Sequence, residues 1–229
     1  MLLMRSEMTE YRKIFEEYGC LYLGQLLSEN ECKEALLKLF IAKENGESIH
    51  DGMNFSCSFP DRQLDYLLSK VQPVIEKLID VKLFPTYTYS RIYHRSDIMQ
   101  LHVDRNACEI SVTMTLGYGG DSIWPLIILP KKETKKLTNY TNDGSLYEGE
   151  KIEITSYVRE RLEKITIGIG DGILYKGMEL GHGRDKFVEG DWQAQVFLHF
   201  VDANGLYKEH KYDQIKRGTI NGSGYGSGY

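Results

Sequence analysis

Two histidines and one aspartate are the residues of this chain whose types and spacing could bind a metal ion. His102 and Asp104 stand two residues apart, and His182 follows much later in the chain. Two imidazoles and one carboxylate fill half of an octahedral coordination sphere, and non-haem Fe(II) oxygenase sites use the three open positions for a co-substrate and O₂. In a strand, His102 and Asp104 would share one face because side chains alternate with a period of two. These residues therefore predict a catalytic iron centre.

The alternative interpretation of the motif is structural. A His-x-Asp triplet occurs often by chance, and His102 could be a core histidine that is hydrogen-bonded to Asp104. His182 is distinguished by its context, since it follows a Gly-Asp-Gly turn and the apolar run Ile173–Tyr175. Of the other histidines, His50 and His210 are predicted to lie in hydrophilic flanks. His94 is predicted to precede a hairpin turn, and His199 to lie in an apolar strand.

Composition limits the classes of function. The chain has 229 residues, 41% of them hydrophobic, which favours one domain with a sizeable core. A formal net charge of −5 argues against generic nucleic-acid binding, and no run approaches the roughly 18 apolar residues of a membrane span. The four cysteines form no Cys-x-x-Cys pair, which is typical of reduced thiols, and the N-terminus has no secretory signal. We expect a cytoplasmic protein that does not bind membranes.

The periodicity of apolar residues changes from helical to β at about residue 80. Helices are predicted over Glu7–Tyr18, from Ser28 with a capping-box spacing to Glu31, and over Asp61–Leu78, where Pro73 should kink or shorten the helix. Residues 1–80 therefore form a helical support. Strand candidates follow at residues 82–93, Met99–Val103, Glu109–Leu116, Trp124–Leu129, Lys164–Ile169, Ile173–Tyr175 and Gln193–Val201.

Strands that follow one another without crossover helices favour an antiparallel sandwich or jelly roll. The predicted fold class is α+β, mainly β, with a jelly-roll core over 82–205 that is braced by the N-terminal helices. Residues 131–163 are hydrophilic and too long for a hairpin, which predicts either a functional lid or a disordered insertion. We favour a mobile lid with a short helix near Tyr157–Glu163. We expect one domain over 1–220, followed by a Gly/Ser/Tyr tail at 221–229.

With these segments in place, the chain resembles the Fe(II)/2-oxoglutarate-dependent dioxygenase superfamily, in which prolyl 4-hydroxylases and demethylases of alkylated nucleic acids share His-x-Asp…His ligands. The resemblance runs from about Tyr87 to Gly205 and is clearest in Tyr89–Tyr93, Leu101–Arg105, Cys108–Thr113, Gly170–Gly183 and Gln195–Phe200. It implies a double-stranded β-helix, with Fe(2+), 2-oxoglutarate as co-substrate and O₂. The implied reaction is hydroxylation with release of succinate and CO₂, and the implied catalytic and metal-binding residues are His102, Asp104 and His182.

The resemblance also implies residues that bind 2-oxoglutarate. Tyr93 stands nine residues before His102, where both subfamilies place a tyrosine that contacts this co-substrate. The basic residue expected about ten residues after the second histidine is missing, because Asp191, Trp192 and Gln193 stand there. An unpaired buried carboxylate would be costly, so another basic side chain is expected to neutralise it. Arg184 is the first candidate, followed by Lys176 and Arg91; the alternative is Gln193 or Gln195 with Ser111 or Thr113.

Other readings stay open at this stage. The same iron site could remove an N-methyl group, whereas halogenation is disfavoured by Asp104, which occupies the position that a halide would need. A non-catalytic jelly-roll module that retains metal is the alternative from another class. The substrate is expected to be a small molecule or a peptidyl residue, and Arg105, Glu109 and Trp124 either contact it or serve as a surface ion pair and a packed indole. The oligomeric state stays open.

Overall fold

Two antiparallel sheets are stacked face to face, with helices on the outer face of the larger one. The computed structural model describes residues 5–48, 57–59, 62–137 and 151–213. The helices are α1 (Arg5–Tyr18), α2 (Glu29–Glu44), α3 (Tyr66–Ile79), α4 (Lys131–Leu137) and α5 (Ser156–Arg159). The strands are β1 (Cys20–Leu23), β2 (Cys57–Phe59), β3 (Leu83–His94), β4 (Met99–His102), β5 (Ile110–Gly119), β6 (Leu126–Leu129), β7 (Glu163–Ile165), β8 (Gly172–Tyr175), β9 (Gly181–Arg184) and β10 (Trp192–Asp202).

The major sheet has the strand order β1-β8-β5-β10-β3-β2, and the minor sheet has the order β4-β9-β6-β7. The chain passes between the sheets repeatedly, so that strands adjacent in a sheet are distant in sequence, as in a double-stranded β-helix. This arrangement confirms the predicted fold class. The described strands form two facing sheets, without closing into a barrel.

Strand β10 shows how the major sheet divides its side chains between two environments. One face packs on the helices through alternate apolar residues, which are Ala194, Val196, Leu198 and Phe200. The other face turns toward the minor sheet and carries Gln193, Gln195, Phe197 and His199. An apolar face buries the core while the polar inner face is available for chemistry, because side chains alternate along a strand.

The N-terminal helices cover the outer face of the major sheet, as predicted. Helix α2 begins with the predicted capping box, in which Ser28 and Glu31 bond each other's backbone. Helix α3 continues through Pro73 to Ile79, so the proline does not shorten it. Apolar residues on both sides of the proline are buried against the sheet, and this packing offsets the lost backbone hydrogen bond.

The described ends of the predicted lid contact the minor sheet. Thr134 of α4 and Val158 of α5 are fully buried, and Ile152 donates its backbone N–H to Leu101 of β4 at 2.8 Å. Residues 138–150, the tail at 221–229 and His50 lie outside the described residues. None of the described helices is long and apolar enough to cross a membrane.

Candidate metal centre

His102 and His182 face each other across the pair β4–β9. They are cross-strand partners in the ladder, and their ring centroids lie 4.5 Å apart. Gly183 permits this close approach, because a β-carbon at that position would lie 2.8 Å from the backbone oxygen of Met99. Two residues that are distant in sequence are thereby placed side by side.

Asp104 reaches the histidines from outside the ladder. Strand β4 ends at His102, so the prediction that one strand carries both ligands is wrong. Instead, the backbone N–H of Asp104 donates to the carbonyl of Gly177 at 2.8 Å, which anchors the residue where the chain leaves the sheet. Its Oδ1 lies 3.6 Å from His102 Nε2 and 3.4 Å from His182 Nε2. The structure therefore brings together the three residues of the sequence motif, although through a local structure that differs from the predicted strand.

Both imidazoles present the same nitrogen to this common point. His102 Nδ1 lies 2.8 Å from the carbonyl oxygen of Gln100, and His182 Nδ1 lies 2.9 Å from that of Leu180. A carbonyl only accepts, so each Nδ1 carries the proton and each Nε2 keeps its lone pair. The ligand atoms of His102, Asp104 and His182 all lie within 4.8 Å of one another, which fits a divalent ion with two imidazole ligands and one carboxylate ligand.

The charges of the site also suit a cation. Burial opposes ionisation of Asp104, but His182 and His102 outweigh it and hold the pKa of this carboxyl well below its usual range. In His182, burial lowers the pKa, but the interaction with Asp104 exceeds that effect and raises it overall. An anionic carboxylate faces two nearly buried imidazoles, and this combination of one negative charge and two lone pairs suits a divalent cation.

Arg184 lies on the same face of β9 as His182, two residues further along. It is 1% exposed, and its Nη1 donates to the carbonyl oxygen of Trp124. Its Nε and Nη2 are buried without a hydrogen-bond partner among the residues that the structure describes. Burial lowers the pKa of Arg184 to about 10, so the guanidinium remains cationic at neutral pH. Buried donors of a cation aimed at no acceptor indicate a site for an anion.

Tyr93 and Gln193 complete the surroundings of Arg184. The buried Tyr93 ring lies 5.1 Å from that of Trp124, with its hydroxyl 3.5 Å from the sulfur of Met99. Gln193 stands where the resemblance led us to expect a basic residue, and its amide bonds both the N–H and the carbonyl of Trp124. Since Arg184 donates to that same carbonyl, its guanidinium lies beside the end of the Gln193 side chain.

The other two basic candidates lie in different surroundings. Arg91 is buried on β3, where its guanidinium donates to the Tyr89 hydroxyl at 3.0 Å and lies 5.3 Å from the Tyr93 ring. Lys176 lies over the ring of Phe15 in α1 and 3.6 Å from Glu179. The structure thus brings Arg91, Tyr93 and Arg184 together, and it places Lys176 on the helix side of the sheet.

The residues considered for substrate contact have partners within the fold. Arg105 pairs with Asp213 at 2.8 Å, and Glu109 accepts the backbone N–H of Asp202. Trp124 is buried and stacks on Phe187, with ring centroids 4.9 Å apart. This packing matches the alternative in which Trp124 is a core indole.

Sequence reasoning missed two residues beside the ligands. The ring of Tyr175 lies 4.7 Å from that of His182, and Gly177 leaves the space that the Asp104 carboxylate fills. In the sequence, the alternation of Ile173 and Tyr175 in β8 could have indicated that the Tyr175 side chain lies on the inner face of the sheet. No sequence pattern marked Gly177, since its role depends on a contact with a residue far away in the chain.

Comparison with known proteins shows similarity in structure alone. No protein-family model matches this chain, and no curated protein matches it. HygX from Streptomyces hygroscopicus, solved with nickel and 2-oxoglutarate, is 13% identical, covers 89% of each chain and has a TM-score of 0.64. The 2-oxoglutarate-dependent epimerase SnoN from nogalamycin biosynthesis is 13% identical, with 86% of this chain and 82% of that one covered and a TM-score of 0.68.

A prolyl 4-hydroxylase from Pseudomonas putida is also similar. It is 10% identical, with 85% of this chain and 98% of that chain covered and a TM-score of 0.59. The chain therefore has the fold of the 2-oxoglutarate-dependent oxygenases, and this confirms the superfamily resemblance at the level of the fold.

Proposed function

We propose that this protein is an Fe(II)- and 2-oxoglutarate-dependent dioxygenase that hydroxylates a small organic substrate. The observation that carries the proposal is the presence of two complementary sites joined through one face of β9, which carries His182 and Arg184. The triad of His102, Asp104 and His182 offers three ligands to a metal. Two residues from His182, Arg184 offers an anion buried donors that have no partner among the described residues.

The spacing of these two sites suits a short dicarboxylate. Residues i and i+2 of a strand are separated by roughly 6.6 Å, which is comparable to the length of a five-carbon diacid. One carboxylate would lie at the metal, and the other would accept hydrogen bonds from Nε and Nη2 of Arg184. Tyr93, whose ring lies 5.1 Å from that of Trp124, would add a hydroxyl donor.

The bound Fe(II) and 2-oxoglutarate would supply O₂-dependent oxidation of a C–H bond, with release of succinate and CO₂. The residues of the chain provide binding, charge neutralisation and exclusion of water. Backbone carbonyls fix the tautomers of both histidines, while Asp104 supplies the negative charge. Around Arg184, the buried rings of Tyr93, Trp124 and Phe187 keep the interior dry.

The structural neighbours support the choice of substrate class. HygX has been solved with hygromycin B bound, and SnoN has been solved with Fe3+, 2-oxoglutarate and nogalamycin RO. Both ligands are small molecules, so proteins of this fold can bind compounds of that class together with a metal and 2-oxoglutarate. The prolyl 4-hydroxylase neighbour makes peptides the second class to be tested.

The experiment measures succinate formed from 2-oxoglutarate by protein loaded with Fe(II), with panels of small molecules and peptides as substrates. We expect formation of succinate that requires Fe(II) and O₂ and is abolished in His102→Ala, Asp104→Ala and His182→Ala, because each variant removes one of three ligands. Formaldehyde release would identify N-demethylation instead. Metal binding without any turnover across the panels would favour the non-catalytic module, and undiminished succinate in a triad variant would refute the assignment.

A further inference from the structure

A row of buried side chains begins at Oδ2 of Asp104, the carboxylate oxygen other than the one closest to His102 and His182. The hydroxyl oxygen of Ser111 lies 3.4 Å from Asp104 Oδ2 and 2.8 Å from Nδ1 of His199. Ser111 and His199 are cross-strand partners in β5 and β10. Ser111 is 0% exposed and His199 is 6% exposed, so water does not compete for these hydrogen bonds.

The hydrogen-bonding capacity of one hydroxyl determines the direction of these bonds. A serine hydroxyl donates one hydrogen bond and accepts two. The possible acceptors of the Ser111 proton are the carboxylate of Asp104, the carbonyl of Cys108 at 3.2 Å and, in the other tautomer of the ring, Nδ1 of His199. The carboxylate is the stronger acceptor because it is charged. With its proton on Asp104, Ser111 can accept from Nδ1–H of His199 at 2.8 Å.

The surroundings hold His199 and Oδ2 of Asp104 in place. The His199 ring packs against that of Tyr87, with centroids 4.6 Å apart. The backbone of Gly177 also approaches Asp104 so closely that a β-carbon there would overlap Oδ2. Ser111 and Gly177 therefore both restrict rotation of the carboxylate.

We propose that Ser111 and His199 are positioning residues, which together keep Oδ2 of Asp104 turned away from the metal so that Oδ1 alone binds it. His199 donates to Ser111, and Ser111 donates to Oδ2. A carboxylate that binds through one oxygen leaves the remaining coordination positions free for a bidentate co-substrate and O₂. This inference rests on the proposed metal site and adds a requirement that concerns two residues outside the triad.

The test is a titration of the full chain with Co²⁺. Isothermal calorimetry measures the affinity, and visible absorption reports the coordination of the bound ion. Ser111→Ala and His199→Leu should each weaken Co²⁺ binding about tenfold, at the lower end of the effect of residues that orient metal ligands. Both should also change the absorption spectrum, because a carboxylate that turns to bind through both oxygens raises the coordination number. Ser111→Thr and His199→Asn keep a donor at each position and should stay within about threefold of the wild type.

The two variants should not be additive, because the bonds act in series. Once the Ser111 hydroxyl is removed, loss of His199 has nothing further to release, so Ser111→Ala/His199→Leu should bind Co²⁺ as Ser111→Ala does. Ser90→Ala is the matched control. It removes a buried serine hydroxyl from β3, on the face that packs toward the helices, and should leave affinity and spectrum unchanged.

The outcomes separate this inference from the proposed function. If the wild type binds no Co²⁺, the metal site itself is refuted. Wild-type binding with wild-type affinity and spectrum in Ser111→Ala would overturn the positioning role alone. Additive losses in the double variant, or weakening in Ser111→Thr equal to that in Ser111→Ala, would show that the two residues act separately through packing.

Discussion

At the scale of single residues, Arg184 bears most directly on co-substrate binding. Replacing it with Met removes the buried cation while keeping a long apolar side chain. We expect the apparent KM for 2-oxoglutarate to rise by one to two orders of magnitude, which corresponds to about 1.4–3 kcal/mol of lost charge-assisted hydrogen bonding. Steady-state kinetics of succinate formation measure this change.

Lys176→Met is the control for Arg184→Met, since Lys176 packs on Phe15 and Glu179. It should leave the KM within about twofold of the wild type. Because Gln193 and Arg184 donate to the same carbonyl of Trp124, Gln193→Arg in the Arg184→Met background should recover part of the loss. A normal KM in Arg184→Met would assign the distal carboxylate to another group, with Arg91 tested next.

Gly177 offers a test of the space around Asp104. Alanine at this position would place its β-carbon against Oδ2 of Asp104 and the carbonyl of Cys108. We expect Gly177→Ala to weaken Ni²⁺ binding at least tenfold by displacing the carboxylate, as measured by calorimetry. Gly24→Ala is the control, because the nearest atom to its added β-carbon, an oxygen of Asp171, is 3.8 Å away. Equal affinities in both variants would show that Asp104 tolerates displacement.

Residue types and spacing predicted the three residues that the structure brings together, although not the contacts that position them. The pattern His-x-Asp…His and the spacing of Tyr93 can be read from the sequence. The anchor of Asp104 on Gly177 cannot, because it joins the end of β4 to the turn after β8. Ser111 appeared only as one of several polar alternatives for binding 2-oxoglutarate, since its bond to His199 depends on strand register.

At the scale of elements, the hydroxyl of Thr134 joins α4 to β9, the strand that carries His182. Thr134 is fully buried, accepts the N–H of Gly181 at 2.9 Å and donates to the carbonyl of Leu129 at 3.0 Å. Thr134→Val keeps the shape and leaves that N–H unsatisfied, which should cost about 1–3 kcal/mol of unfolding free energy. Urea denaturation measures the loss. Lys132→Ala, on the exposed side of α4, should change stability little, and an equal loss in the two variants would argue against this attachment.

The strands differ in how clearly the sequence marked them. Alternating aromatic and polar residues predicted β3, and the apolar run predicted β10, each with ends close to those observed. Strand β9 consists of Gly-His-Gly-Arg, a composition with low β-propensity. Gly183 permits the close approach of β4, and Gly181 that of Ile152, Leu129 and Thr134. Both requirements arise only when these segments pack together. Tertiary packing likewise decided that α3 continues past Pro73.

At the scale of the whole molecule, the metal should act as a clamp on the folded state. Its ligands come from β4, from the turn anchored on Gly177 and from β9, and they converge only in the native fold. A ligand that binds only the folded state stabilises it by about 2.7 kcal/mol at a concentration of 100 times its Kd. For a domain of this size, that corresponds to a rise in Tm of about 5–10 °C.

Ni²⁺ is a suitable ion for this measurement, because it permits co-substrate binding without turnover. We expect Ni²⁺ to raise the Tm of the wild type in differential scanning calorimetry, and 2-oxoglutarate to raise it further. In Arg184→Met, the rise in Tm caused by Ni²⁺ should remain and the further rise caused by 2-oxoglutarate should shrink, since the guanidinium of Arg184 contributes only to co-substrate binding. In His182→Ala, both increments should largely disappear. An undiminished Ni²⁺ effect in His182→Ala would mean that the stabilising ion binds elsewhere on the molecule, because a facial site that has lost one of its three protein ligands cannot retain its affinity.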